Sequence, residues 1–206
     1  MSVIAPQDVS RSRWLQVGWV FMLLGAMLAA ANAILFMNID AYGHPGIKSR
    51  FIATEIAGWM HTLGGAIAVV LGPWQFLSRV RVRWPRVHVW TGRVYLVAVL
   101  SGALGGLYFA PTSVGGNPGV IGFGILAVFW LYTGAQAYVS ARRRDFVAHR
   151  RWMIRNYSLT FAAVTLRLEL GLLQVSGLNF DVAFPIVAWS SWVLNWLAAE
   201  MWLRRQ

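Results

Sequence analysis

Six apolar stretches constrain this chain more than any other feature. They fall at about 14–36, 52–77, 88–110, 119–141, 152–175 and 182–203, each near or above the roughly 20 residues a helix needs to cross a bilayer. Inside a bilayer the backbone must satisfy its own hydrogen bonds, so each stretch is expected to be a helix. The connections are short, which makes consecutive helices neighbours. The expected fold is therefore all-α: a single integral membrane bundle of six transmembrane helices spanning residues 1–206. Hydrophobic residues make up 58% of the chain, more than a soluble domain of this length could bury.

Arginine placement gives the expected topology. Arg11 and Arg13 precede the first span. Arg79, Arg81, Arg83 and Arg86 fill the loop after the second, and Arg142, Arg143, Arg144, Arg150 and Arg151 the loop after the fourth. Arg204 and Arg205 follow the sixth, whereas the opposite loops hold Lys48 and Arg50. The positive-inside rule then places both termini in the cytoplasm of a bacterial inner membrane. A net charge of +11 would suit nucleic acid, but no basic soluble domain forms, so the expected partner is the lipid bilayer and nucleic acid is excluded. The absence of cysteine removes disulfides, thiol nucleophiles and iron–sulfur clusters. "ANA" at residues 31–33 resembles a signal-peptide cleavage site, yet the apolar run continues through Ile34, Leu35 and Phe36, so the first span is expected to be retained.

Ionisable side chains inside a span are costly and are functional candidates by default. The second span carries Glu55 and His61; the fifth carries Arg155, Arg167 and Glu169. Arg167, Glu55, Glu169 and His61 are expected to form a polar cluster in the outer leaflet, with Arg167 reaching towards Glu55 or His61. It serves either as a structural ion pair or as a ligand or proton site. Arg167 and Glu169 are two apart and point to different sides of a helix. Gly58, Gly64 and Gly65 surround His61. Glycine there permits close approach of another helix or of a flat cofactor with His61 as axial ligand.

Two segments open inside-to-outside spans with the same residue order, "VHVWTGRVY" and "AHRRWMIRNY". They place His88 and His149 at similar depth at the cytoplasmic rim. Two imidazoles at one depth on two helices are what a bis-histidine haem b requires, so His88 and His149 are the candidate iron ligands. Nearby arginines, Arg93 and Arg155 among them, suit haem propionates, with Tyr95 and Tyr157 a turn or two further along. The same groups suit a quinone head group or a lipid phosphate, and all of them also serve as plain interfacial anchors.

On His61 with Gly64 and Gly65, "GPWQF" (72–76), "HVWTGRVY" and "HRRWMIRNYSLTFAAVTLR", from about His61 through Arg167, the sequence resembles a bacterial family of multi-pass membrane proteins, domain of unknown function 2306. The resemblance implies that these motifs are the site and supplies no chemistry. Histidines on several helices also give a looser architectural likeness to cytochrome b561 and ferric-reductase-type proteins. A two-haem pattern of that kind wants four histidines within helices, and His44 lies in the loop "AYGHPG". The leading expectation is a small inner-membrane protein that binds haem b through His88 and His149 and passes electrons to a membrane redox partner, with His61 a second ligand or a proton group. The alternatives are a non-redox transporter, a lipid- or quinone-binding protein, or a structural or assembly subunit of a larger complex.

Overall fold

The structure is a computed structural model and describes residues 6–39 and 43–205, with side chains from Leu15 onward. The side chains of Arg11 and Arg13 and both chain ends lie outside the described part. Nine α-helices run through the described residues: α1 Pro6–Asn38, α2 Pro45–Ala53, α3 Glu55–Gln75, α4 Ser78–Arg83, α5 Pro85–Phe109, α6 Gly116–Arg142, α7 Phe146–Thr160, α8 Ala162–Val175 and α9 Phe180–Arg204. Six spans are long and apolar enough to cross a membrane: α1, α3, α5 with the short turn after it, α6, α7 continued by α8, and α9. The expected six-helix membrane bundle is therefore the fold.

Several boundaries differ from expectation for physical reasons. The fifth span begins at Phe146, because Asp145 caps it by accepting the Ala148 N–H at 2.9 Å. His149, Arg150 and Arg151 thus lie within α7 rather than before it. Pro85 occupies the first turn of α5, where its missing N–H costs nothing, so His88 too is already helical. The second span starts at Glu55, since the preceding apolar residues belong to the separate helix α2. Lys48 on α2 is buried and donates from Nζ to the carbonyls of Phe36 (2.8 Å) and Ile39, capping the end of α1.

The helices close a ring. α3 lies between α1 and α5, and α6 between α5 and α7; α9 packs on α6, α7 and α8, and α8 returns to α1. The tightest seam is α3 on α5. A Cβ at Gly64 would lie 2.5 Å from the Gly102 nitrogen and 2.7 Å from the Ala98 carbonyl oxygen, so only glycine permits this approach.

The quoted motifs meet one another inside the bundle. Pro73 has no N–H, so the Val69 carbonyl four residues earlier loses its helical donor. The Tyr157 hydroxyl takes that place at 3.0 Å. Gly72 makes room for it, because any Cβ there would overlap the Tyr157 ring. Gln75 donates to Thr91 Oγ1 at 2.7 Å, which joins "GPWQF" to "HVWTGRVY". Tyr95 donates to Asn156 Oδ1 at 2.6 Å and lies 2.9 Å from Thr160 Oγ1. Asn156 Nδ2 in turn donates to the Trp130 carbonyl and to Thr133 Oγ1, both at 2.8 Å. These polar groups are buried and satisfied, and they fix α5, α6 and α7 at mid-span.

Candidate functional site

Between them the helices leave a partly open cavity of about 840 Å³ in the half of the bundle away from the arginine-rich loops. That is towards the upper end of the roughly 300–1,000 Å³ usual for small-molecule sites. All six spans and α2 contribute to its wall, which is mainly apolar and aromatic. Its floor is the mid-span network, through Thr160 and Trp130. There the fifth span is interrupted at Phe161, between α7 and α8. The Ser158 carbonyl beside the interruption accepts from Asn195 Nδ2 of α9 at 3.2 Å.

His61 is the polar group best defined in this wall. Its Nδ1 lies 2.8 Å from the Gly102 carbonyl. A carbonyl only accepts, so Nδ1 carries a proton, and in the neutral ring Nε2 keeps its lone pair. No hydrogen bond from Nε2 to a described residue forms. A backbone carbonyl on one ring nitrogen orients ligating and proton-accepting histidines in this same way. Beside it, a Cβ on Gly65 would meet no atom within 4 Å, so Gly65 opens onto the cavity while Gly64 serves packing. Gly105 serves packing as well, with Ala57 and His61 backbone atoms 2.7 Å from where its Cβ would be.

Two of the ten candidate residues, His61 and Arg167, line the cavity. Arg167 lies within electrostatic reach of His61 and donates to Asn32 Oδ1 (2.8 Å) and the Ala163 carbonyl (2.6 Å). Glu169 turns the other way and accepts from Ser190 Oγ of α9 at 2.5 Å. Glu55 is exposed at the start of α3. The structure therefore brings Arg167 and His61 together and leaves the two carboxylates apart from the cavity.

His88 and His149 lie at the other end of the bundle, within electrostatic reach of each other. His149 Nδ1 is 2.8 Å from the Ala137 carbonyl, to which it donates. His88 Nδ1 is buried without a hydrogen-bond partner. Arg155 pairs with Glu200 through two bonds of 2.5 and 3.0 Å and stacks over Trp152 at 4.9 Å. Arg93 is exposed and lies over Trp90 of its own helix at 4.8 Å. Tyr95 and Tyr157 are committed to the helix contacts described above.

Sequence reasoning did not single out Asn32, Arg50, Asn156 or Glu200, and it set His44 aside as a loop residue. Glu200 and the two asparagines carried a usable signal, a polar group inside an apolar span. His44 and Arg50 carried none, because only the fold of α2 over the bundle brings them to the cavity wall.

Bundle and cavity together define a multi-pass membrane protein with an interhelical ligand-sized site. A family model described as "Predicted membrane protein (DUF2306)" matches residues 58–203, and the chain belongs to this family. No curated protein and no solved structure matches it.

Proposed function

We propose that this protein binds an amphipathic, lipid-soluble ligand in the cavity, with His61 Nε2 as the contact to the ligand's reactive or polar centre. The observation that carries the reading is an imidazole anchored through Nδ1 by the Gly102 carbonyl, with no protein partner on Nε2 among the described residues, on the wall of an apolar cavity of about 840 Å³. A lone-pair Nε2 accepts a hydroxyl proton, as from a quinol, or coordinates a metal, as in haem b; the rest of the wall solvates a hydrocarbon or ring body. By the positive-inside rule the arginine-rich loops and both termini face the cytoplasm of a bacterial inner membrane, and the cavity lies in the outer half.

The test is purification in mild detergent, solvent extraction of bound small molecules, and absorbance spectra before and after dithionite reduction. One amphiphile per chain is expected, lost in Gly65→Phe, which projects a ring from α3 into the cavity, and weakened in His61→Ala. A Soret band that follows His61 identifies haem b, and a colourless extract containing quinone or lipid identifies that class. A stable protein with no stoichiometric ligand would overturn the reading.

A second reading places haem b between His88 and His149 as an electron-transfer centre serving a membrane redox partner or a larger complex. The specific support is the buried, unpartnered His88 Nδ1 opposite a His149 held by the Ala137 carbonyl. A Soret band lost in His88→Ala but kept in His61→Ala distinguishes it.

A further inference from the structure

We infer that the cavity selects an amphipathic acid: a ligand whose apolar body fills the interior and whose anionic head, carboxylate or phosphate, sits at the α2 wall beside Arg50 and His44. This rests on the cavity being a ligand site and names the chemistry of its ligand. Four observations lead to it. No aspartate or glutamate lines the cavity among the described residues, whereas Arg50, Arg167, His44 and His61 do. The Arg50 guanidinium, on α2, makes no ion pair with a described residue. His44 immediately precedes α2, its ring stacked on Phe180 at a centroid distance of 3.9 Å, and its Nδ1 is buried with no hydrogen-bond partner. An unpaired guanidinium on this wall is completed by an anionic oxygen, and a rotation of the His44 ring would let its unsatisfied nitrogen donate to the same head. Deeper in, the wall offers alanines, leucines, phenylalanines and glycine backbone, the surroundings of a hydrocarbon or flat ring.

A neutral ligand of the same shape would leave the Arg50 and His44 donors unused. Charge on the ligand head, rather than the length of its apolar body, then sets affinity at this wall. Arg50 is half-buried, so part of that attraction survives salt screening.

The test uses the full chain in nanodiscs of zwitterionic phosphatidylcholine and reads energy transfer from tryptophan to a fluorescent polyene fatty acid, parinaric acid, and to its methyl ester. Trp130 on the cavity floor is one donor. The expected result is saturable transfer to the acid, about tenfold tighter than to the ester. Arg50→Gln should reduce the acid to the ester's affinity, Arg50→Lys should keep most of the preference, and Gly65→Phe should abolish saturable transfer for either probe. Competition by a long-chain alkyl phosphate against a long-chain fatty acid then tells which head is preferred, with the equivalent alcohol as neutral control. Equal affinity for acid and ester, both lost in Gly65→Phe, overturns the charge inference and leaves the cavity reading standing. Transfer insensitive to Gly65→Phe for both probes overturns the two together.

Discussion

Replacing Tyr157 with phenylalanine should destabilise the protein only while Pro73 is present. The Val69 carbonyl lacks a helical donor because residue 73 is proline, and the Tyr157 hydroxyl supplies one from α7 at 3.0 Å. Tyr157→Phe keeps the ring against Gly72 and removes that donor alone, leaving a buried carbonyl unsatisfied. Polar contacts between helices in membranes average about 0.6 kcal/mol and reach about 1.7; stranding a buried acceptor costs roughly 1–3 kcal/mol. A loss of about 1–1.5 kcal/mol follows from the two ranges. In Pro73→Ala the backbone N–H at that position returns to the Val69 carbonyl, so the same Tyr157→Phe change should cost about 0.3 kcal/mol or less. The four chains of this cycle can be compared by reversible unfolding in mixed micelles of mild detergent and dodecyl sulfate. Equal losses with Pro73 in place and in the Pro73→Ala background would refute the assignment of the Tyr157 hydroxyl to the proline-freed carbonyl.

Gly72→Ala should sharply lower the yield of monodisperse protein on size-exclusion chromatography, because its Cβ overlaps the Tyr157 ring; Gly65→Ala, whose Cβ would meet no atom within 4 Å, should leave it unchanged. Asn156→Leu removes three buried hydrogen bonds and should cost about 2 kcal/mol or more, lowering the thermal midpoint well below that of Thr165→Val, measured side by side. A cycle of Arg155→Met and Glu200→Gln should give a coupling of about 1 kcal/mol, the upper end for exposed pairs, because the side chains are only 17% and 23% exposed; additive losses would mean the pair contributes nothing.

The helices were legible because a bilayer forces each apolar run of sufficient length into a helix, whatever its neighbours. The start of the fifth span was less so: hydropathy locates the apolar run from Trp152, whereas the Asp145 cap begins the helix among basic residues at Phe146. His61 and Arg167 were legible for a related reason, since an ionisable group inside a span stands out against its surroundings. What Tyr95 and Tyr157 touch was not. A tyrosine following an arginine-rich rim reads equally well as a cofactor contact or an anchor, and its true partners, Asn156 and the Val69 carbonyl, lie 61 and 88 residues away. His44 and Arg50 depend on how a short helix folds over the bundle end, which hydropathy does not encode.

An experimental density map of the protein in lipid nanodiscs, prepared without added ligand, addresses the cavity most directly. The expected result is a continuous, non-protein density between α3, α5 and α8 that approaches His61 Nε2 to within about 3.2 Å, or closer for a metal centre. A cavity closed by inward movement of its aromatic walls, with His61 Nε2 bonded to another side chain, would contradict the assignment of this space as a ligand site.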